Sequence, residues 1–504
     1  MPELKTTNLY AAFEARFPED RNQQMLTTTS GESFTYADAE RLSAQVANGL
    51  VSAGLVAGDR VTVQVEKSPA ALWLYLGAIR AGLVFHPLNT AYTADELAYF
   101  LGNAEPAAVI CDPSSSALFE DLCQRTSGSQ VFTLDAQGSG TLAQLAAEQS
   151  SQFMTATTRA EDMAALLYSS GTTGQPKGIM LSHGNLIDNA TVLADYWGFS
   201  GDDCLLHALP IFHVHGLFVA IGCVLMSGSS IRWLANYDVA AVVEHLPDCT
   251  VMMGVPTHYT RLLAEPAFTR DVAEAVRLFV SGSAPLLPET FAAFEARTGK
   301  RILERYGMSE TGMNTSNPLH GERRAGTVGL PLPGVSVRVV DAEGKALPAG
   351  EIGDLQVKGA NVFSGYWRMP EKTEEDFTED GFFDTGDKAR IEEDGYVAIV
   401  GRAKDMVISG GLNVYPKEIE LLIDELPGVA ESAVIGVPHT DFGEAVTAIV
   451  VLQAGAQLQA PDVIEYVKAH AANFKVPKQV HFVDTLPRNT MGKVQKNVLR
   501  DSYS

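Results

Sequence analysis

From residue 43 to 113, short apolar runs of strand length alternate with longer stretches whose apolar residues recur at helical spacing. The runs at 60–65, 83–85 and 107–110 read as strands and the stretches between them as helices, a βαβ rhythm. Residues 112–158, rich in Ser, Ala and Gln, interrupt it and are expected at the periphery. The rhythm resumes with an apolar run at 163–167, a helix capped by Ser182, strands at 204–209, 230–234, 250–255, 278–281 and 301–304, and helices at 238–246 and 289–298. Between 326 and 401 the pattern changes to short alternating strands broken by Glu343-Gly344, Ala349-Gly350, Asp380-Gly381 and Asp394-Gly395, so a β-rich, barrel-like unit is expected. The tail reads as strand, helix 417–425, a hairpin about 441–444, helix 461–473 and strand 479–483, enough for a separate α+β domain of about 100 residues. The predicted fold class is α/β. Two doubly wound subdomains and a β-barrel-like subdomain make a large N-terminal domain, 1–402, and a small α+β C-terminal domain, 403–504, follows.

A chain of 504 residues that is 46% hydrophobic holds more than one core. Its longest apolar stretch, 217–226, is too short to span a bilayer, which takes about 20 residues. Residues 1–21 carry charges of both signs without an apolar leader, so the cytoplasm is the expected location. The five cysteines show no Cys-x-x-Cys spacing and are expected as buried small hydrophobes rather than zinc ligands or disulfides. Lys and Arg total 37 against 61 Asp and Glu, a formal charge of -24 that argues against binding nucleic acid or an anionic membrane. The balance reverses near the end, where Lys475, Lys478, Arg488, Lys493, Lys496 and Arg500 form either a solvated basic tail or a surface that meets an anionic substrate.

The string Tyr168-Ser169-Ser170-Gly171-Thr172-Thr173-Gly174-Gln175-Pro176-Lys177-Gly178 adds chemistry. Its glycines let backbone approach a polyphosphate, its hydroxyls and amides donate hydrogen bonds, and its Lys supplies charge. It is not a Walker loop, because no Gly-Lys-Ser or Gly-Lys-Thr closes it and Lys177 follows a Pro. The whole string resembles the phosphate loop of the adenylate-forming superfamily, which includes acyl-CoA synthetases, firefly luciferase and the adenylation domains of peptide synthetases. Four further strings match that superfamily in order, so the resemblance covers nearly the whole chain.

The resemblance implies an ATP site made of Ser169, Ser170, Gly171, Thr172, Thr173, Gly174 and Lys177 together with residues of the later strings. In Glu304-Arg305-Tyr306-Gly307-Met308-Ser309-Glu310-Thr311 it implies that Tyr306 stacks on adenine, that Ser309, where Thr is usual, touches the α-phosphate, and that Glu310 holds Mg²⁺. In Phe383-Asp384-Thr385-Gly386-Asp387 it implies that Asp387 accepts from the ribose hydroxyls. In Gly401-Arg402-Ala403-Lys404-Asp405 it places Arg402 near the ribose and Lys404 at the hinge on which the small domain moves. Gly410 and Gly411 resemble the loop lining a tunnel for the pantetheine arm of CoA. Lys493, in Pro487-Arg488-Asn489-Thr490-Met491-Gly492-Lys493-Val494-Gln495-Lys496, stands at the catalytic position, where an ammonium bridges the attacking carboxylate and the α-phosphate. Lys496 is expected to stay solvated.

Arg261 and Arg305 flank segments that line the acid pocket in the superfamily, where most pockets are apolar. A guanidinium there suits a second carboxylate, which it can grip with two hydrogen bonds. With Ser283, His213 and Met308 they resemble the malonyl-CoA synthetases, which implies an ATP- and Mg²⁺-dependent ligase acting on malonate and CoA, with methylmalonate as a second candidate. The rivals are a synthetase for another short acid, an adenylation enzyme loading a carrier protein, and an adenylate-binding regulator without catalysis. His207, His213 and His215 lack a standard zinc spacing, so His213 reads as a pocket wall and His207 and His215 as satisfied core histidines.

Overall fold

The computed structural model describes residues 7–168, 176–409, 412–439, 443–471, 473–489 and 492–504. Its first sheet has six strands in the order Gln130–Thr133, Ala108–Cys111, Arg60–Gln64, Val84–Pro87, Met163–Tyr168 and Gly178–Ser182. All pairings are parallel except the last, in which the chain doubles back across residues 169–177. Ala108–Cys111 and Val84–Pro87 are buried along their whole length, as expected where helices cover both faces of a parallel sheet. The peripheral stretch 112–158 supplies the edge strand Gln130–Thr133.

A second, nine-stranded sheet runs Leu330–Pro331, Gly312–Ser316, Leu303–Met308, Leu278–Ser281, Val251–Gly254, Cys204–His207, Ser230–Trp233, Gln24–Thr28 and Ser33–Thr35. Its middle strands are parallel and its two ends antiparallel. The helix after the phosphate string, His183–Tyr196, starts where expected, because Ser182 and Asn185 close a reciprocal capping box. The β-rich unit is a four-stranded antiparallel sheet, Ser336–Val340, Gly353–Lys358, Phe383–Ile391 and Val397–Arg402. One continuous apolar core joins parts of these three sheets.

Beyond Arg402 a five-stranded sheet, which includes the long antiparallel pair Val429–His439 and Gly443–Leu452, packs against helices Pro416–Asp424 and Ala460–His470 around a core of its own. The expected hairpin is therefore present as a strand pair, although residues 440–442 lie outside the described ones. All five cysteines are free thiols, four of them buried. Among the described residues no helix is long and apolar enough to cross a membrane.

Candidate active site

Strand Leu303–Met308 turns back on itself as Gly312–Ser316, with Ser309, Glu310 and Thr311 in the turn. The two strands approach so closely that a side chain at Gly307 would put its Cβ 2.0 Å from the Gly312 carbonyl oxygen. Tyr306 projects from this hairpin and donates its hydroxyl to Asp387 Oδ2 at 2.5 Å. Asp387 and Arg402 face each other across neighbouring antiparallel strands, and the register brings Arg402 Nε to 2.8 Å from Asp387 Oδ1. Both oxygens of the buried carboxylate thus have a donor, and a carboxylate has acceptor capacity left for two more. Burial first, and then the charge of Asp387, push the Tyr306 phenol well above its ordinary pKa, so it stays a neutral donor.

Next to this triangle, Lys177 places its ammonium 4.2 Å from the centre of the Tyr366 ring and 3.9 Å from Asp376 Oδ2. The Tyr366 hydroxyl lies 3.5 Å from Glu310 Oε1. Glu310 is buried rather than an ordinary surface acid, and desolvation raises its pKa against the pull of Arg402 and Lys177. Ser309 is half-buried beside it. Among the described residues no three His, Cys, Asp or Glu side chains come together as a metal cage. Residues Ser169, Ser170, Gly171, Thr172, Thr173 and Gly174, like Gly410 and Gly411, lie outside the described residues.

On the other face of the same strand, Arg305 is 3% exposed, and burial lowers its pKa to about 10, still charged at neutral pH. Its guanidinium lies against Gly282, where a Cβ would come 2.3 Å from Arg305 Cζ, so only glycine admits it. The next residue, Ser283, holds a left-handed φ of 70° and sets its Oγ 3.2 Å from His215 Nδ1. Holding a non-glycine residue there costs on the order of 1 kcal/mol, which marks the turn as built for a purpose. Nε and Nη2 of Arg305, Nε2 of His213 and His215, Nδ1 of His258, Oγ of Ser281 and Oε2 of Glu304 are buried with no hydrogen-bond partner among the described residues. Desolvation holds His213 near pKa 4 and His258 near 3, and pushes His215 well below its ordinary value with help from Arg305, so the imidazoles are neutral. Met308 lies at the Tyr306 side, its Sδ 4.0 Å from the phenol oxygen.

Arg261 is exposed on helix Pro256–Ala264, one turn on from His258, whose pKa burial first and then the Arg261 charge lower. Two expectations need correction. His215 is buried as expected, but it hydrogen-bonds Ser283 inside this cluster and is not fully satisfied. Lys496 is not solvated, because it pairs with Glu420 at 2.5 Å. Most of the basic tail is neutralised in the same way, with Lys475 on Glu418, Arg488 on Glu431 and Arg500 on Asp405.

Lys493 is the tail cation that stays with the cleft. Its neighbour Gly492 sits against Thr257 at the start of helix Pro256–Ala264. The residue is exposed overall, yet its ammonium is crowded by protein: desolvation, then Arg402 and Lys404, against Asp387 and Asp405, lower its pKa to about 8. Lys404, in the short turn Ala403–Asp405, is likewise lowered by desolvation and by Arg402. Tyr366, His215 and His258 were not singled out as site residues from the sequence. A π-helical turn spans His215–Ala220 and begins at the second histidine of Phe212-His213-Val214-His215.

The family model described as AMP-binding enzyme matches residues 13–367, and that described as AMP-binding enzyme C-terminal domain matches 418–493. The chain is similar to a malonate–CoA ligase of Arabidopsis thaliana, at 33% identity over 98% of this chain and 89% of the relative. It is similar at the same 33% to a feruloyl-CoA synthase of Amycolatopsis sp, over 94% of both, so identity alone does not select the acid. Among solved structures it is similar to ATP-bound MatB from Rhodopseudomonas palustris, with TM-score 0.97 and 53% identity over 99% of both chains. Against the apo form of MatB the TM-score is 0.87 at the same identity.

Proposed function

The chain belongs to the AMP-binding enzyme family, and on that premise we propose that it is an ATP-dependent malonate:CoA ligase. A malonate carboxylate oxygen attacks the α-phosphorus of ATP and pyrophosphate leaves. The CoA thiol then attacks the acyl carbon of malonyl-adenylate, giving malonyl-CoA and AMP. One observation carries the choice of acid: a buried guanidinium, Arg305, with two donor nitrogens unpartnered among the described residues, between Gly282 and the Ser283–His215 pair. A carboxylate supplies the acceptors those nitrogens lack, whereas an apolar acyl tail would leave the charge buried without a counterion.

In this reading Tyr306 stacks on adenine, Asp387 and Arg402 hold the ribose, and Ser309, Lys177 and residues 169–174 contact the phosphates. Glu310 would hold Mg²⁺ against phosphate oxygens, since a cation would offset the desolvation that raises its buried carboxyl. Magnesium, when bound, neutralises phosphate charge. Lys493 offsets the charge that builds as two anions meet, and His213 walls the acid pocket, with Met308 on the Tyr306 side of the strand. The reading divides the chain into 1–402 and 403–504; the end of the four-stranded sheet at Arg402 and the start of the C-terminal core at Val407 support that division. The closer likeness to the ATP-bound form of MatB supports reading the observed arrangement as the adenylating one. Lys404 is then the hinge, and Gly410 and Gly411 line the CoA path after the small domain turns. The test is thioester formation across malonate, methylmalonate, oxalate, succinate and acetate with ATP and CoA. Preference for malonate is expected; equal or better turnover of acetate would overturn the reading.

A further inference from the structure

Helix Ala94–Ala104 carries no residue given a substrate role above, yet it is bonded to both sides of the phosphate end. It opens in a capping box between Thr93 and Glu96 and turns Leu97, Phe100, Leu101 and Ala104 into the core. Tyr99 and Asn103, one turn apart, share a neighbouring face. The Tyr99 hydroxyl donates to the carbonyl of Pro176 at 2.6 Å, immediately before Lys177. Tyr168, the last residue of the incoming strand, donates its hydroxyl to Asn103 Oδ1 at 2.6 Å. The segments entering and leaving residues 169–175 are therefore fastened to the same helix.

A third tie closes the figure. Trp367 Nε1 donates to the Asn103 carbonyl at 3.0 Å, and its amide donates to the Gly178 carbonyl at 2.7 Å. A Cβ at Gly178 would meet the Trp367 Cβ at 2.9 Å, so the contact depends on that glycine. The residue before Trp367 is Tyr366, the ring that holds the Lys177 ammonium and whose hydroxyl reaches Glu310. A lysine is a point charge on a flexible four-carbon stem, so where its ammonium can reach is set by where its backbone is held.

We propose that Tyr99 and Asn103 are positioning residues that fix Lys177, and through it the nucleotide phosphates, for the first half-reaction. This rests on the ligase reading given above. Ring packing does not need the hydroxyl: Tyr99 and Tyr168 meet edge to face at 6.3 Å and Phe100 lies 4.9 Å from Tyr168, so Tyr99→Phe removes one hydrogen bond and little else.

The experiment measures malonate-dependent ATP–pyrophosphate exchange, and separately thioester formation from supplied malonyl-adenylate, in Tyr99→Phe, Asn103→Leu and Asn103→Asp. KM for ATP in the exchange is expected to rise about three- to tenfold in Tyr99→Phe and Asn103→Leu, the effect of one lost hydrogen bond. Asn103→Asp keeps an acceptor for Tyr168 and should stay near the unmutated value. Thioester formation and the unfolding midpoint should hold. Unchanged KM, or parallel loss in both half-reactions, would overturn the inference as a mere packing effect. No exchange in the unmutated enzyme with any acid would overturn the ligase reading and this inference together, whereas normal exchange that is indifferent to the variants overturns this inference alone.

Discussion

On one face of strand Leu303–Met308, Tyr306 joins Asp387 and Arg402 in a triangle where both carboxylate oxygens have donors. On the other face Arg305 is equally enclosed and keeps two nitrogens unpartnered among the described residues, with imidazole nitrogens of His213, His215 and His258 in the same condition. Adjacent residues of a strand point opposite ways, so one short element serves two sites of different character. At the nucleotide end, strand register brings Asp387 and Arg402 together. The acid end holds neutral imidazoles and one cation whose desolvation is offset only when an anion brings acceptors. On the proposed reading, discrimination between acids belongs to the second end and nucleotide affinity to the first.

Lys493 is crowded at the cleft beside the charges of Arg402 and Asp387, so its loss should break the reaction most. Lys493→Ala is expected to lower adenylate formation by about 10²–10³, the range for removing one group that meets developing charge, while thioester formation from supplied malonyl-adenylate persists. Since its ammonium is held near pKa 8, adenylation should fall as pH rises through that value, and in Lys493→Ala this limb should vanish. Equal damage to both half-reactions would contradict a role confined to the first.

Asp387→Ala attacks the nucleotide end alone. Arg402 loses its counterion and Tyr306 its acceptor, so kcat/KM for ATP should drop about 10², with the ratio of malonate to propionate turnover unchanged. A shift in that ratio would join what the strand separates. Arg261→Met sharpens the comparison from the acid side: because Arg261 is exposed, its effect on malonate turnover should stay within about tenfold, against about 10² for Arg305.

The smallest effect concerns stability. Burial raises the Glu304 carboxyl from 4.5 to about 7, so the folded state binds its proton more tightly than the unfolded one. Stability is lost as pH rises from about 4.5 to 7, and above 7 the cost is on the order of 2–3 kcal/mol. Glu304→Gln keeps an acceptor for the Leu286 amide and removes the charge. It should raise the unfolding midpoint at pH 8 by about 1–3 °C and leave it unchanged at pH 5; the opposite pH dependence would mean that the charges of Lys417 and Arg305 outweigh desolvation.

Periodicity exposed most of the fold, because strands such as Leu278–Ser281 and Gln479–Val483 are short apolar or alternating runs between turn residues. It could not show the returning strand Gly178–Ser182, whose pairing depends on contacts made across the phosphate string. The nucleotide residues were legible through contiguous strings. Tyr366, His258 and the difference between Arg261 and Arg305 were not, since burial of one arginine and exposure of the other follow from a helix end and from the missing side chain of Gly282. The pairing of Lys496 with Glu420 was equally hidden, because the two lie on different helices whose docking no local pattern encodes.

The central claim is that Arg305 selects a second carboxylate, and one comparison tests it most directly: kcat/KM for malonate and for propionate, with ATP and CoA saturating, in the unmutated enzyme and in Arg305→Met. Losing a buried charge-assisted partner should lower the malonate value by about 10² while propionate holds steady or gains. A parallel fall for both acids, or an unchanged preference for malonate, would contradict the account.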